Sequence, residues 1–188
     1  TANQTKVQGL LETERDRPVG VTVTVASPQT VTITDTSTEG IRVTLGFPRL
    51  QKIEDDGNIS GVNVLYGIQV KNQAGTVIKG VLAGGTPYWV LSAASRAIYA
   101  GASGQVSGKS TSPYFKDHII FIPEETQDSD FPLTVTVTRT SADSTSDRII
   151  DAFELTSITE LVFDPSNFPN TALAALRFDA EIFRSIPR

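Results

Sequence analysis

Gly108-Lys109-Ser110 is the first place in this chain where chemistry could reside, because it ends like a phosphate-binding loop. Such a loop needs Gly-x-x-x-x-Gly-Lys-Ser/Thr, so that backbone N–H groups wrap the phosphates, with a helix directly after it. Here Ser103 stands where the first glycine belongs, and Pro113 follows Ser110 closely. The expectation is a plain small-residue loop over Gly104 to Ser112, not a nucleotide site.

Two acidic clusters offer oxygens to a hard cation: Glu54-Asp55-Asp56-Gly57-Asn58, and Glu124-Glu125 with Asp128 and Asp130. A calcium loop converges oxygens at Asp-x-Asp-x-Asp-Gly spacing with a distal Glu, which neither cluster shows. Acidic residues at turns also have conformational reasons of their own. Of the two, residues 54–58 are the better calcium candidate. His118, the single histidine, falls mid-strand between Asp117 and Ile119 and is expected to face solvent rather than complete a Ser-His-Asp triad. No carboxylate pair is singled out for glycoside cleavage. Trp89, beside Tyr88, is expected in a core, although exposed aromatics can anchor interfaces. Asn3-Gln4-Thr5 and Asn58-Ile59-Ser60 match a glycosylation sequon, which matters only in a eukaryotic secretory pathway. No catalytic, cofactor-binding or metal-binding residue is assigned, and the chain is expected not to be an enzyme.

The scaffold that must position these residues is β-rich. Thr, Val and Ser dominate and Lys is scarce, as suits strands. With 188 residues, 39% hydrophobic and 20% charged, the chain can bury a real core. A net charge of −5 argues against a nucleic-acid surface, which needs a Lys/Arg excess. The lack of cysteine excludes disulfides and thiolate chemistry, and the lack of methionine, even at position 1, points to an excised piece. No apolar run approaches the ~20 residues of a membrane span, and residues 1–18 are too charged for a signal-peptide core.

Along the chain, residues 1–18 read as a flexible or extended lead-in. Val19 to Val25 and Val31 to Thr34 alternate about a Ser27-Pro28-Gln29 turn, which suggests a hairpin. Ile41, Val43, Leu45 and Phe47 alternate, as do Val62, Val64, Tyr66, Ile68 and Val70, and then Leu133, Val135 and Val137. Glu54 to Asn58 and Gln73-Ala74-Gly75 are turn signals, while Val77 to Leu82 and Lys116 to Ile122 read as further strands. Ser92–Ala100, before Gly101, is the one helical candidate, and Ile149 to Phe163 reads as extended. Near the C-terminus, Pro169 and Asn170 mark a turn into a strand. The fold class is thus an all-β sandwich, immunoglobulin-like or jelly-roll-like, with at most one short helix. Linker-like composition outlines the sandwich at 37–141, flanked by strands at 19–36 and a returning segment at 142–188.

Five strings, in order, carry a resemblance. Asn167-Phe168-Pro169-Asn170-Thr171-Ala172-Leu173 and its continuation to Pro187 resemble "YPNTALVGLRIDAEQFGSIP". Gly108 to Tyr114 resembles "GKTTSPY", Arg139 to Ser144 resembles "R.TADS", Ile41 to Leu50 resembles "VRVTIRFPAL", and Asp56 to Gly61 resembles "DNGDIKG". These strings belong to the tail-tip host-specificity protein (protein J) family of long, flexible-tailed bacteriophages. Phe168 replaces the usual Tyr, Arg184 falls where Gly is common, Phe153 to Thr159 follows the family's aromatic run loosely, and Ser92 to Ser103 has no counterpart.

The resemblance implies a virion component made in the host cytoplasm, in which a sandwich interrupts a β-rich hub domain. It implies a trimer in the full-length protein, contacts with other tail-tip and tail-tube proteins, and receptor contact through regions outside this chain. The family supplies no catalytic residue at these strings and no cofactor. The competing reading is an adhesin-like sandwich that holds bacterial surface glycan or protein through loops such as 84–89 or 101–113. A cell-wall-degrading enzyme ranks last, for want of a convergent catalytic set.

Overall fold

The computed structural model describes residues 12–81, 87–88 and 104–163, with side chains over 13–78 and 104–162. The helical candidate at 92–100, Trp89 and the Phe168–Pro187 string therefore lie outside the described residues.

Among the described residues thirteen strands follow in chain order: β1 (Glu12–Val23), β2 (Gln29–Ile33), β3 (Gly40–Phe47), β4 (Gln51–Ile53), β5 (Ile59–Ser60), β6 (Val62–Lys71), β7 (Val77–Val81), β8 (Pro87–Tyr88), β9 (Gln105–Gly108), β10 (Tyr114–Phe121), β11 (Leu133–Arg139), β12 (Ile149–Ile150) and β13 (Phe153–Phe163). One sheet has the order β1-β13-β3-β10, and the facing sheet runs β2-β11-β6-β7-β8 with β9 also on β6. A small third sheet joins β12, β4 and β5. Every pairing is antiparallel. The only described helical element is a 3-10 turn at Asp128–Asp130.

The two large sheets close on one apolar layer. Ile41, Val43, Leu45 and Phe47 of β3 face Val64, Tyr66, Ile68 and Val70 of β6 and Leu133, Val135 and Val137 of β11, all buried. Period-two alternation puts each set on one face of its strand. Burying such side chains stabilises by roughly 1.5–3 kcal/mol each. Phe47 stacks on Phe153 with centroids 5.4 Å apart, and Tyr66 lies 5.7 Å from Phe153. The Glu54–Asn58 turn closes the β4–β5 hairpin with Gly57 at φ 82, and Gly75 at φ 81 closes β6–β7. These turns match the sequence expectation.

Three expectations are corrected by the pairing. Of the flexible or extended lead-in, residues 12–18 are extended and form the first half of β1, paired with β13 from Glu12↔Phe163 to Pro18↔Ser157. The turn at 24–27 does not make a hairpin: β1 belongs to one sheet, β2 to the other, so the chain switches sheets there. Consequently only Val23 of the valine run is fully buried, while Val21 and Val25 stay 41% and 49% exposed. A bulge between Pro18 and Val21, with Gly20 at φ 63, also interrupts that alternation. The small-residue loop contains a strand, β9, held against the first four residues of β6. Finally, no seam falls at residue 37 or 141: β13 lies between β1 and β3, and β2 pairs with β11, so the segments flanking 37–141 share its core.

Candidate contact surfaces

β10 is an edge strand whose two faces differ sharply. Residues directly opposite on paired strands share a face. His118 sits opposite Val43 and Ile120 opposite Ile41, so both point into the core. Phe115, Ile119 and Phe121 lie opposite Gly46, Arg42 and Gly40 and point outward. His118 is thus buried at 2% exposure, contrary to the solvent-facing position expected from sequence.

Its Nε2 is 2.8 Å from the Tyr66 hydroxyl, and the Nδ1 atom has no hydrogen-bond partner. Burial, reinforced by the Lys116 charge, lowers its pKa to about 4, so the ring is neutral near pH 7. Burial likewise pushes the Tyr66 hydroxyl upward. Neither group has the serine and carboxylate that triad chemistry requires. This pair is a packed polar joint between the sheets.

The Arg139–Ser144 string builds a second joint. Arg139 leaves the end of β11 with its guanidinium buried, and Nη1 and Nη2 reach the Asp151 carbonyl at 2.7 Å and its carboxylate at 2.6 Å. The carbonyls of Ser141 and Ala142 accept at 3.1 and 3.0 Å, and Asp143 pairs with Nε at 3.1 Å. The other Asp143 oxygen accepts the Val25 N–H at 3.0 Å. A polar segment that reads as a linker is therefore tied through Arg139 to β11 and to Asp151 just before β13, and through Asp143 to the β1–β2 corner.

A third joint uses Glu160, fully buried on β13, which sequence reading missed. Arg17 reaches its Oε1 at 2.6 Å and donates to the Thr32 carbonyl on β2 at 3.0 Å, while Thr38 donates to Oε2 at 3.3 Å. Glu-x-Thr-rich strands carry no periodic signal that one acid turns inward, so the pairing partner alone could reveal it.

The acidic clusters serve local structure. Glu54 binds Ser60 and Lys52, Asp55 pairs with Arg148, and Asp56 accepts the Asn58 N–H at 3.0 Å. These bonds hold the Glu54 and Asp56 carboxyls below their usual pKa values, chiefly through Lys52 for Glu54 and the Asn58 N–H for Asp56. Asp130 accepts from Asn72 at 3.0 Å and from the Gln127 N–H at 2.9 Å. Among the described residues no three acids or histidines gather to hold a metal. Gly108-Lys109-Ser110 ends β9 and bridges to Leu50, and strand β10 follows where a phosphate loop needs a helix.

What stands exposed is the outer row of β10. Phe115, Ile119 and Phe121 are 57%, 44% and 45% exposed, and β10 has no further strand beside it among the described residues. Only Asp117 interrupts the row, and its carboxylate is engaged by Thr44 at 2.7 Å. Over Gly40, where a Cβ would approach Leu161 to 3.3 Å, Leu161 and Phe121 close together.

Residues 13–164 match the model of the FNIII-A domain of tip attachment protein J. Two relatives bear that name: one from Escherichia phage SECphi4, 31% identical over the whole chain, and one from Escherichia phage SECphi27, 26% identical over 97% of it. The chain belongs to the tip attachment protein J family. It spans 14% and 13% of those two relatives. The family assignment agrees with the fold, an FNIII-like sandwich. The protein J strings now have positions: "R.TADS" is the Arg139 joint, "DNGDIKG" the β4–β5 turn, and "GKTTSPY" the β9–β10 connection.

Proposed function

We propose that this chain is a structural segment of a phage tail tip, working through packing and assembly and not through catalysis. The outer row of β10 carries this reading: an edge strand with three exposed apolar side chains is an aggregation liability in an isolated domain and an asset in a larger assembly. Relatives several times longer supply ample chain to cover it. In this reading the sandwich interrupts a hub domain, the full-length protein assembles as a trimer with tail-tip and tail-tube proteins, and it is made in the host cytoplasm before entering the virion. Host receptor contact belongs to regions beyond this chain. The hydroxyl that faces His118 is that of buried Tyr66, whose pKa burial raises, so the pair suits packing better than proton transfer, which supports a non-enzymatic role.

The test is Phe115→Glu with Ile119→Glu in the full-length phage protein. Tails are expected to fail in assembly, while the 188-residue chain keeps its melting temperature. Normal tail yield and infectivity from the double variant would reject the reading.

A further inference from the structure

Between the edges of β9 and β10 the sandwich opens into a recess of about 360 Å³, within the size range of small-molecule sites. Its lining includes Leu50 and Val106, both largely buried, together with Ser107, Lys109, Tyr114 and Lys116.

The two ammonium groups set this recess apart. Arg15, Arg17, Arg42, Lys52, Arg139 and Arg148 each face a carboxylate. Among the described residues, Lys109 and Lys116, like Arg49 and Lys71, face none, but only these two of the four line the recess: Lys109 Nζ donates to the Ile59 carbonyl at 3.3 Å, and Lys116 Nζ to the Gln105 carbonyl at 2.8 Å. An ammonium has three donors, so each retains two. Lys116 is half-buried, and burial lowers its pKa, as befits a cation without a counter-charge. In a chain of net charge −5, this is a local excess of positive charge. Tyr114 is 43% exposed and braced against Phe47, 6.1 Å between centroids, which leaves a fixed aromatic at the rim.

We propose that this recess binds a saccharide unit bearing an oxyanion, a carboxylate or a phosphate. The oxyanion sits between Lys109 and Lys116, and the ring lies against Tyr114 over the Leu50–Val106 floor. A lone acidic side chain would use the lysines but neither the aromatic nor the apolar floor, so a sugar ring is the better fit. This inference goes beyond the assembly role and is independent of the β10 outer row, which lies on the opposite face of that strand.

The 188-residue chain, followed by NMR, is titrated with glucuronic acid, glucose 6-phosphate, glucose and a tri-aspartate peptide. Saturable shifts at Lys109, Tyr114 and Lys116 are expected with one or both acid sugars, and the responding sugar identifies the acid group. Glucose is expected to bind at least tenfold more weakly. Lys116→Gln and, separately, the exposed Lys109→Gln are each expected to weaken binding on the order of tenfold, one charged hydrogen bond's worth. If Lys116→Gln fails to fold, Lys109→Gln alone carries the test. The proposal is overturned if neither acid sugar shifts these residues, if the lysine variants that fold bind as the parent does, or if only the peptide binds. Tail assembly does not enter this readout.

Discussion

The Arg139 joint and the β10 edge place similar numbers of reactive-looking groups in opposite circumstances. At Arg139 every nitrogen of the buried guanidinium finds a carbonyl or carboxylate within the same sandwich. Along β10, the inner face is closed around His118 but opens at Lys116, which lacks a counter-ion among the described residues, and the outer face leaves three large apolar side chains exposed. Saturated polar networks specify the fold, because a buried charge with a missing partner is costly. Unsatisfied groups on a rigid strand cost the isolated domain little and are available to something outside it. The difference separates residues that make the sandwich from residues it presents.

Substitutions should separate these classes by size of effect. Arg139→Met strands Asp151 and the Ser141 and Ala142 carbonyls, so urea unfolding should show a loss of about 3–5 kcal/mol. A loss of no more than about 1 kcal/mol, the value of an exposed pair, would remove the contrast.

His118 should make stability fall with acid. Its folded pKa of about 4 lies below the ordinary 6.5, so the unfolded chain binds the proton first as pH drops. The contribution is complete above about pH 6.5 and is lost down to about pH 4, on the order of 3 kcal/mol in all. His118→Phe should flatten the stability profile over the upper part of that window, whereas the exposed carboxyls of Glu14, Glu54 and Asp56, whose pKa values are lowered, act from about pH 4.5 downward.

Gly61→Ala should cost about 1–3 kcal/mol in thermal or urea unfolding, since the new Cβ would sit 2.8 Å from the Gly108 backbone where β9 meets β6. Phe115→Glu, by contrast, should move the stability of the chain by no more than about 0.5 kcal/mol. A large loss there would mean that the outer row belongs to the core after all.

Strands β3, β6 and β11 were legible because each buries one face completely, and alternation is the direct signature of that state. The two Gly-centred hairpin turns were legible for a similar reason: a positive φ demands a particular residue. β9 was hidden because Gly104 to Ser112 is rich in small polar residues without alternation, and Gly61, which lets the Gly108 backbone come close, is what admits it beside β6. The Ser141–Asp147 stretch looked like a boundary since polar composition is the same whether a segment is free or tied down by an arginine. His118 was misplaced because Tyr114 to Phe121 has apolar residues on both faces, and either parity was admissible. The candidate recess was glimpsed only as a loop at 101–113; its second lysine comes from β10 and its floor from Leu50.

By itself, the sequence determined the all-β class, the core faces of the three central strands, the tight turns and, through five ordered strings, the family. Those are local properties: a residue's alternation and turn chemistry are written within a few positions of it. Only the tertiary structure decided that β13 sits between β1 and β3, that β1 and β2 part into different sheets, that Glu160 and His118 turn inward, and that Lys109 and Lys116 line one recess. The physical reason is that period two says which side chains share a face but not which strand lies alongside. That choice is made by packing among residues more than a hundred positions apart, as Asp16 and Thr159 show across 143 positions.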